Sequence, residues 1–362
     1  MAHQPAKTAG YGAGVFEGVL PLMVKVIIVN RICRFYIWRR MNIRKILPKW
    51  LHEYIFECLG AEEKPNPKEF CKNLHSDDEK NRIYLGTYFP RSFAESFCIH
   101  DNLFSYRFYQ QSIEGKQKLA ILSVGCGTGG DVLGALCAIA KNLPNITDVE
   151  IVAYDGNNIA IDYLVDLTSL EPLKTRFNIE HKCVPLPITC KEDLEHYMAY
   201  MGEGYDLVTS FKFVNELMDA GYLGRDAFKV VAELLAPKLA ETGVMTLLDV
   251  TDKHLGEWQS KNMNYGLCEF SKAHDEFRTL LPIPCHFKDA SCHGASCFTN
   301  KRFYGTFTAD DKVVYRVMTR AGYANHLYPE MKDGMAYIRN VDNETCPSAW
   351  DRHMADGYDI NN

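Results

Sequence analysis

At 362 residues, 47% hydrophobic and 24% charged, the chain has the makeup of a soluble globular protein, which excludes a disordered or low-complexity polypeptide. Its net charge of -6 is unevenly spread: residues 1 to 50 hold nine Lys or Arg against one acid, Glu17, and the remainder holds 31 basic against 45 acidic residues. A body this acidic does not suit a long phosphate-tracking groove, so nucleic-acid contact would fall to the basic N-terminal arm or a local patch, and small or basic partners match it better.

The first apolar stretch, "VFEGVLPLMVKVIIVNRICRFYIW" (15 to 38), is the membrane candidate of the chain. Glu17, Pro21, Lys25, Asn30, Arg31 and Arg34 interrupt it well short of the roughly 20 clean apolar residues a span needs, so it is expected to be a packed amphipathic helix. The acid-poor, Arg-containing start has some character of an organelle transit peptide, but few hydroxyl residues. Thirteen cysteines spread over a chain with no convincing signal peptide read as reduced, which points to an intracellular, cytoplasmic protein.

Residues 1 to 117 are predicted to be a mostly helical N-terminal region or cap. "KWLHEYIFECLG" has helical apolar spacing and stops at Gly60, a C-cap residue, and "EEKPNPKEF" is a proline-broken connector. The aromatic block from Ser76 to Ile113 is helical in pattern, and its rings suit packing better than ligand stacking. Short apolar runs then alternate with helical stretches: 119 to 125, 148 to 155, 177 to 187, 205 to 211 and 243 to 250. Runs apolar on both faces imply a parallel sheet covered on each side. Two further strands, "VVYRVMTRAG" (313 to 322) and "GMAYIRN" (334 to 340), are joined too tightly for a crossover helix and are expected to pair antiparallel.

"ILSVGCGTGGD" (121 to 131) is a strand, a glycine turn and a helix start, the arrangement that places a ligand loop at the carboxyl end of a sheet. Gly125, Gly127 and Gly129 let backbone N–H groups approach a cofactor, and Gly125, Gly127 and Gly130 also satisfy GxGxxG, so the loop does not choose between a nicotinamide dinucleotide and S-adenosylmethionine. Asp155, at the tip of the second strand and followed by Gly156, can accept both hydrogen bonds of a ribose diol in either ligand; as an Asp-Gly pair it is also an ordinary turn.

Taken with the strand order and with "YDLVTSFKFVNEL", residues 118 to 340 resemble the class I S-adenosylmethionine-dependent methyltransferases. The resemblance implies an α/β fold with a Rossmann-like, doubly wound, seven-stranded sheet ending in an antiparallel pair. It fills 118 to 345, carries an insert or lid at 252 to 305, and leaves a tail from 346 to 362. It also implies S-adenosylmethionine as cofactor, cradled by Gly125, Cys126, Gly127, Thr128, Gly129, Asp131, Asp155, Gly156 and Ser210. Where the family often has an acid two residues before the first glycine this chain has Ser123, which makes Asp131 the substitute partner for the methionine ammonium, or else simply a helix-start acid favoured by the macrodipole. Methyl transfer mainly requires alignment and, where needed, removal of a proton. Lys212, Asn215 and Glu216 are the candidate catalytic groups, Glu216 being a general base, an amine anchor or part of an ordinary helix start. The acceptor is expected to be a small molecule or a protein; without an Asn-Pro-Pro sequence, methylation of DNA bases has no direct support.

"LPIPCHFKDASCHGASCF" (281 to 298) gathers Cys285, Cys292 and Cys297 with His286 and His293, a spacing that serves zinc or iron-sulfur ligation with Cys268, Cys346 or a histidine as fourth ligand, or else a reduced cysteine-rich lid. "IPCHFKDASC" and "YFPRSFAES" (88 to 96) are similar to segments of the methyltransferase-like assembly factors of the small mitochondrial ribosomal subunit. That resemblance, over about thirty residues, implies the alternative of a cofactor-binding, metal-bearing RNA or ribosome-assembly factor. A nicotinamide-dependent oxidoreductase, the third option, rests on GxGxxG alone.

Overall fold

Residues apolar on both sides of a strand bury themselves only between two layers, and the sheet is built from such strands. The computed structural model describes residues 47–64, 78–250, 253–254, 257–282 and 313–333. The chain divides into two compact units, Met1–Ile43 and Arg44–Asn362, and every described residue belongs to the second. The stretch from 15 to 38, the cysteine cluster with Cys285, Cys292 and Cys297, "GMAYIRN" and the tail from 346 all lie outside the described residues.

Five strands are parallel: β1 (Lys118–Val124), β2 (Asp148–Asp155), β3 (Asn178–Pro185), β4 (Tyr205–Phe211) and β5 (Leu239–Val250). Two more, β6 (Phe277–Leu281) and β7 (Val313–Arg320), complete the sheet in the order β3-β2-β1-β4-β5-β7-β6, with β7 antiparallel to both neighbours. In the central register Leu122 stands between Val152 and Val208, and all seven residues of β4 are buried. At the edge, β3 alternates exposed with half-buried residues, and Lys118, Glu150 and Lys182 form a row of ion pairs across β1, β2 and β3.

Twelve helices flank the strands among the described residues. Before the sheet come α1 (Lys49–His52, continued by a wider turn at Glu53–Cys58), α2 (Asp78–Thr87), α3 (Phe89–Phe104) and α4 (Arg107–Ser112). Between strands lie α5 (Gly130–Asn142), α6 (Asn158–Thr168), α7 (Glu171–Arg176), α8 (Lys191–Tyr200), α9 (Val214–Asp219), α10 (Ala227–Leu235) and α11 (Gln259–Ala273); α12 (Ala321–Asp333) follows β7. Buried residues of α3, α5, α6 and α12 join Ile121, Ile151 and Leu207 on one face of the sheet, and those of α8, α9, α10 and α11 join Leu122, Val152 and Val208 on the other. No described helix is long and apolar enough to cross a membrane.

One expectation is corrected by this topology. The antiparallel partners of β7 are β5 and β6, because the chain after Arg320 turns directly into α12, whose Ala324, Leu327 and Met331 are buried at helical spacing. Within the segment from 252 to 305, expected as an insert or lid, the described residues include α11 and β6: Met263, Leu267 and Phe270 pack on the sheet and β6 pairs with β7, while 283–305 lies outside the described residues.

The helices before β1 are part of the same core. Phe89, Phe93 and Phe97 recur every four residues along α3 and stack with ring centroids 6.3 and 6.4 Å apart. Against them α5 presents Gly130 and Gly134, and a Cβ at Gly134 would lie 2.4 Å from the Phe93 carbonyl oxygen and 2.8 Å from the Phe97 nitrogen. The two backbones therefore touch. Buried hydrogen bonds lock the pair to the sheet: the Ser96 hydroxyl donates to the Asp131 carbonyl, and His100 bridges Ser96 (3.0 Å) and Thr246 of β5 (3.1 Å). Burial pushes the His100 imidazole down to about 3, so it is neutral. Gly134→Ala is expected to cost about 1–3 kcal/mol or more through overpacking against main chain, measured by urea denaturation, whereas Gly115→Ala, in open space, should cost far less.

Candidate functional site

β1 ends buried and its chain must reverse within five residues into α5, which requires φ of 72°, 49° and 81° at Gly125, Gly127 and Gly129. Neighbours make the same demand. A Cβ at Gly125 would lie 2.4 Å from the Phe213 ring, and one at Gly127 would lie 3.3 Å from the Tyr84 ring of α2. The loop is held to the end of β2 by three amides: Gly125 N (2.8 Å) and Cys126 N (3.1 Å) donate to the Tyr154 carbonyl, and Gly127 N donates to Asp155 Oδ2 at 2.7 Å. Asp155 Oδ1 accepts from Asn157 N at 2.8 Å, and the Gly156 amide also stabilises the carboxylate. Asn157 in turn caps α6 through Ala160 N and donates to Asn81 of α2.

Beneath the loop, Asp131 Oδ2 accepts from Ser123 (2.7 Å) and from Thr209 of β4 (2.6 Å), and all three residues are buried. The carboxylate absent at position 123 is thus supplied from α5, but it is spent on joining β1, β4 and α5. Asp131, expected in the cradle, does not itself line the cavity described next.

Above the carboxyl ends of β1, β2 and β4 lies a cavity that encloses about 820 Å³ out to its open mouth. Gly125, Gly127, Asp155 and Gly156 line it as the sequence suggested, and so do Lys212 and Glu216. Cys126, Thr128, Gly129, Ser210 and Asn215 do not; Cys126, Thr128 and Ser210 are buried, and Asn215 serves by its backbone, donating to Asp249 Oδ2 at 2.9 Å. The apolar lining comes from Ala160, Ile188, Phe211, Phe213 and Leu217, with Tyr84 and Tyr222 at the polar-apolar boundary.

Lys212, just past β4, has a φ of 58°, a left-handed backbone rare for a side chain of this size, and its amide is fixed by the Leu248 carbonyl at 2.7 Å. Its ammonium stands 2.6 Å from Glu95 Oε2 of α3, a carboxylate that is wholly buried. Glu216 is exposed on the cavity wall; what desolvation it has there, with Asp155, Asp249 and Asp219 nearby, shifts its carboxyl upward. Asp249 is fully buried at the end of β5 and for that reason is pushed up to about 7, against the pull of its two backbone donors, Asn215 and Val250. Burial raises Asp155 and the Tyr84 hydroxyl as well.

Three residues here escape sequence reasoning. Tyr84 is one ring in an aromatic block, Glu95 an acid inside the apolar run "FAESF", and Asp249 the end of a strand; Glu95 alone carries a signal, as a charge on a buried helix face. Among the described residues no group of three His, Cys, Asp or Glu side chains is arranged to hold a metal ion, and Cys268 is buried in α11.

The strand order, with a ligand-sized cavity where β1 and β4 diverge, defines a Rossmann-like, doubly wound α/β protein. No protein-family model matches the chain, and no curated protein matches it. Among solved structures it is similar to the plantazolicin methyltransferase BpumL in complex with SAH, with 13% identity and a TM-score of 0.41 over 74% of this chain and 98% of that one. It is also similar to a putative rRNA-methylase from Clostridium thermocellum (12% identity, TM-score 0.34, 58% of this chain and 94% of that one). A TehB-like SAM-dependent methyltransferase from Corynebacterium glutamicum gives 14% identity and a TM-score of 0.27 over 59% and 87% of the two chains.

The raised carboxyls have a consequence for stability. A carboxyl whose folded value exceeds its ordinary 3.8, as at Asp249, favours the protonated native state, so its contribution is full below 3.8 and is lost as pH rises through about 7. His100 opposes this only below its ordinary value of 6.5, where the unfolded chain takes up protons and the folded one does not. The thermal midpoint should therefore fall as pH rises from about 6.5 through 7 and level off above that. Asp249→Asn should flatten that decline while costing about 1–3 kcal/mol for the backbone donor it leaves unpaired, as read by calorimetry across pH.

Proposed function

We propose that the cavity binds S-adenosylmethionine and that the protein is a methyltransferase acting on a small-molecule or protein acceptor. The observation that carries this is Asp155: a carboxylate at the tip of β2 that closes the glycine loop onto that strand and lines the cavity, where the two hydroxyls of a ribose diol would donate to it. The cradle also fits. Gly125 and Gly127 put bare backbone on the cavity wall, and Ala160, Ile188 and Leu217 offer apolar lining for a flat base.

When bound, the cofactor supplies a methyl group on a sulfonium, a good leaving group that needs no activation by the protein. The chain's own residues bind and orient. Gly125 and Gly127 bring backbone close, Asp155 fixes the ribose, and Tyr84, lying over Gly127, limits water access. Lys212 and Glu216 stand on the wall for the acceptor, whereas Asn215 acts from behind it through Asp249.

Calorimetry with S-adenosylmethionine and S-adenosylhomocysteine tests the proposal. Both should bind, and Asp155→Asn should weaken each by about 10- to 100-fold, the range for one or two hydrogen bonds to a charged group. Absence of binding by either at millimolar concentration, with NAD bound instead, overturns it.

A further inference from the structure

The charge of the cavity wall gathers at one corner. Tyr84 of α2 lies over Gly127, and its hydroxyl, held un-ionised chiefly by burial, is within electrostatic reach of both the Glu216 and the Asp155 carboxylates. Glu216, in the first turn of α9, is therefore a neighbour of the glycine loop and of the tip of β2. It is exposed to the cavity, and among the described residues no ion pair or hydrogen bond engages its carboxylate. The one cation on the wall among the described residues, Lys212, stands 2.6 Å from the wholly buried Glu95 and so is matched already.

The covalent structure of S-adenosylmethionine brings its charge to that corner. The sulfonium joins the ribose to the amino-acid tail, so with Asp155 on the ribose and the glycine loop under the tail, the sulfur falls between them, beside Glu216. S-adenosylhomocysteine has the same groups on either side, but its sulfur is a neutral thioether. Resting on the methyltransferase assignment above, we propose that Glu216 is the counter-ion of the sulfonium, so that this site holds the methyl donor more tightly than its own thioether product. The attraction acts on one ligand and not on the other. In the transfer the acceptor's lone pair forms the new bond to the methyl carbon, the carbon–sulfur bond breaks, and its electrons stay on sulfur, which becomes neutral. The pairing with Glu216 is thereby lost as the product forms. Glu216 thus favours entry of the donor and exit of the product, and it does so at the expense of the chemical step, because the charge it holds is leaving the sulfur in the transition state.

Calorimetry with S-adenosylmethionine and S-adenosylhomocysteine, on the wild-type protein and on Glu216→Gln, reads the proposal as a ratio of affinities. Gln keeps the shape of the side chain and removes its charge, and comparing both ligands on both proteins isolates the coupling between the two charges. The wild-type protein should bind the donor at least about threefold more tightly than the product, as one exposed charge pair supplies. Glu216→Gln should weaken the donor, leave the product within about twofold of wild type, and bring the ratio close to one. Glu216→Asp keeps the charge and should keep a preference for the donor. A wild-type protein that binds the product as tightly as the donor overturns the proposal without any variant, as does a ratio that Glu216→Gln leaves unmoved. Binding of neither ligand would instead overturn the methyltransferase assignment.

Discussion

The contact on which the molecule depends is the meeting of two helix backbones at Gly130 and Gly134. Because α5 has no side chain there, α3 comes within main-chain distance of it, and everything α3 carries is fixed relative to the glycine loop. One consequence is the Ser96–His100–Thr246 bridge to β5. Another is that Glu95, inside α3 and wholly buried, reaches the ammonium of Lys212 on the cavity wall. The next helix back, α2, is tied to the same frame by Asn81 and lays Tyr84 over Gly127. The segment before β1 thus supplies a wall of the site.

Carboxylates divide the work of the site by depth. Asp131, in the lowest layer, is saturated by two hydroxyls and joins β1 to β4. Asp155 and Asp249 sit at strand ends and each collects backbone amides, which sets the shape of the loops after β1 and β4. Glu216 alone opens to the cavity without a partner among the described residues.

What the sequence disclosed follows from how local each signal is. β1, β2, β4 and β5 are continuous apolar runs because both of their faces are covered, and the glycine loop with Asp155 is a contiguous motif whose geometry follows from glycine and strand-end position. β6 was hidden because "FRTLL" is five residues long and begins beside a charged turn. α12 was hidden because Gly322 and Pro329 break its pattern, although Pro329 is accommodated within the helix. Tyr84 and Glu95 could not be assigned to the site, since they reach Gly127 and Lys212 across about 40 and 120 residues of chain, and periodicity carries no information on such contacts.

The ion-pair row across the β3 edge has a bearing on behaviour in solution. An edge strand offers unpaired main-chain groups to any other extended chain, and a long apolar edge recruits copies of itself. Here β3 exposes alternate positions, and its Lys182 is drawn inward to Glu150, which also holds Lys118, so an incoming strand meets fixed charge where it would need apolar cover. The same row is weakened by salt, because its lysines are largely exposed. Colloidal stability of this protein at high ionic strength is thereby linked to one row of three side chains at the margin of the sheet, far from the groups that shape the cavity.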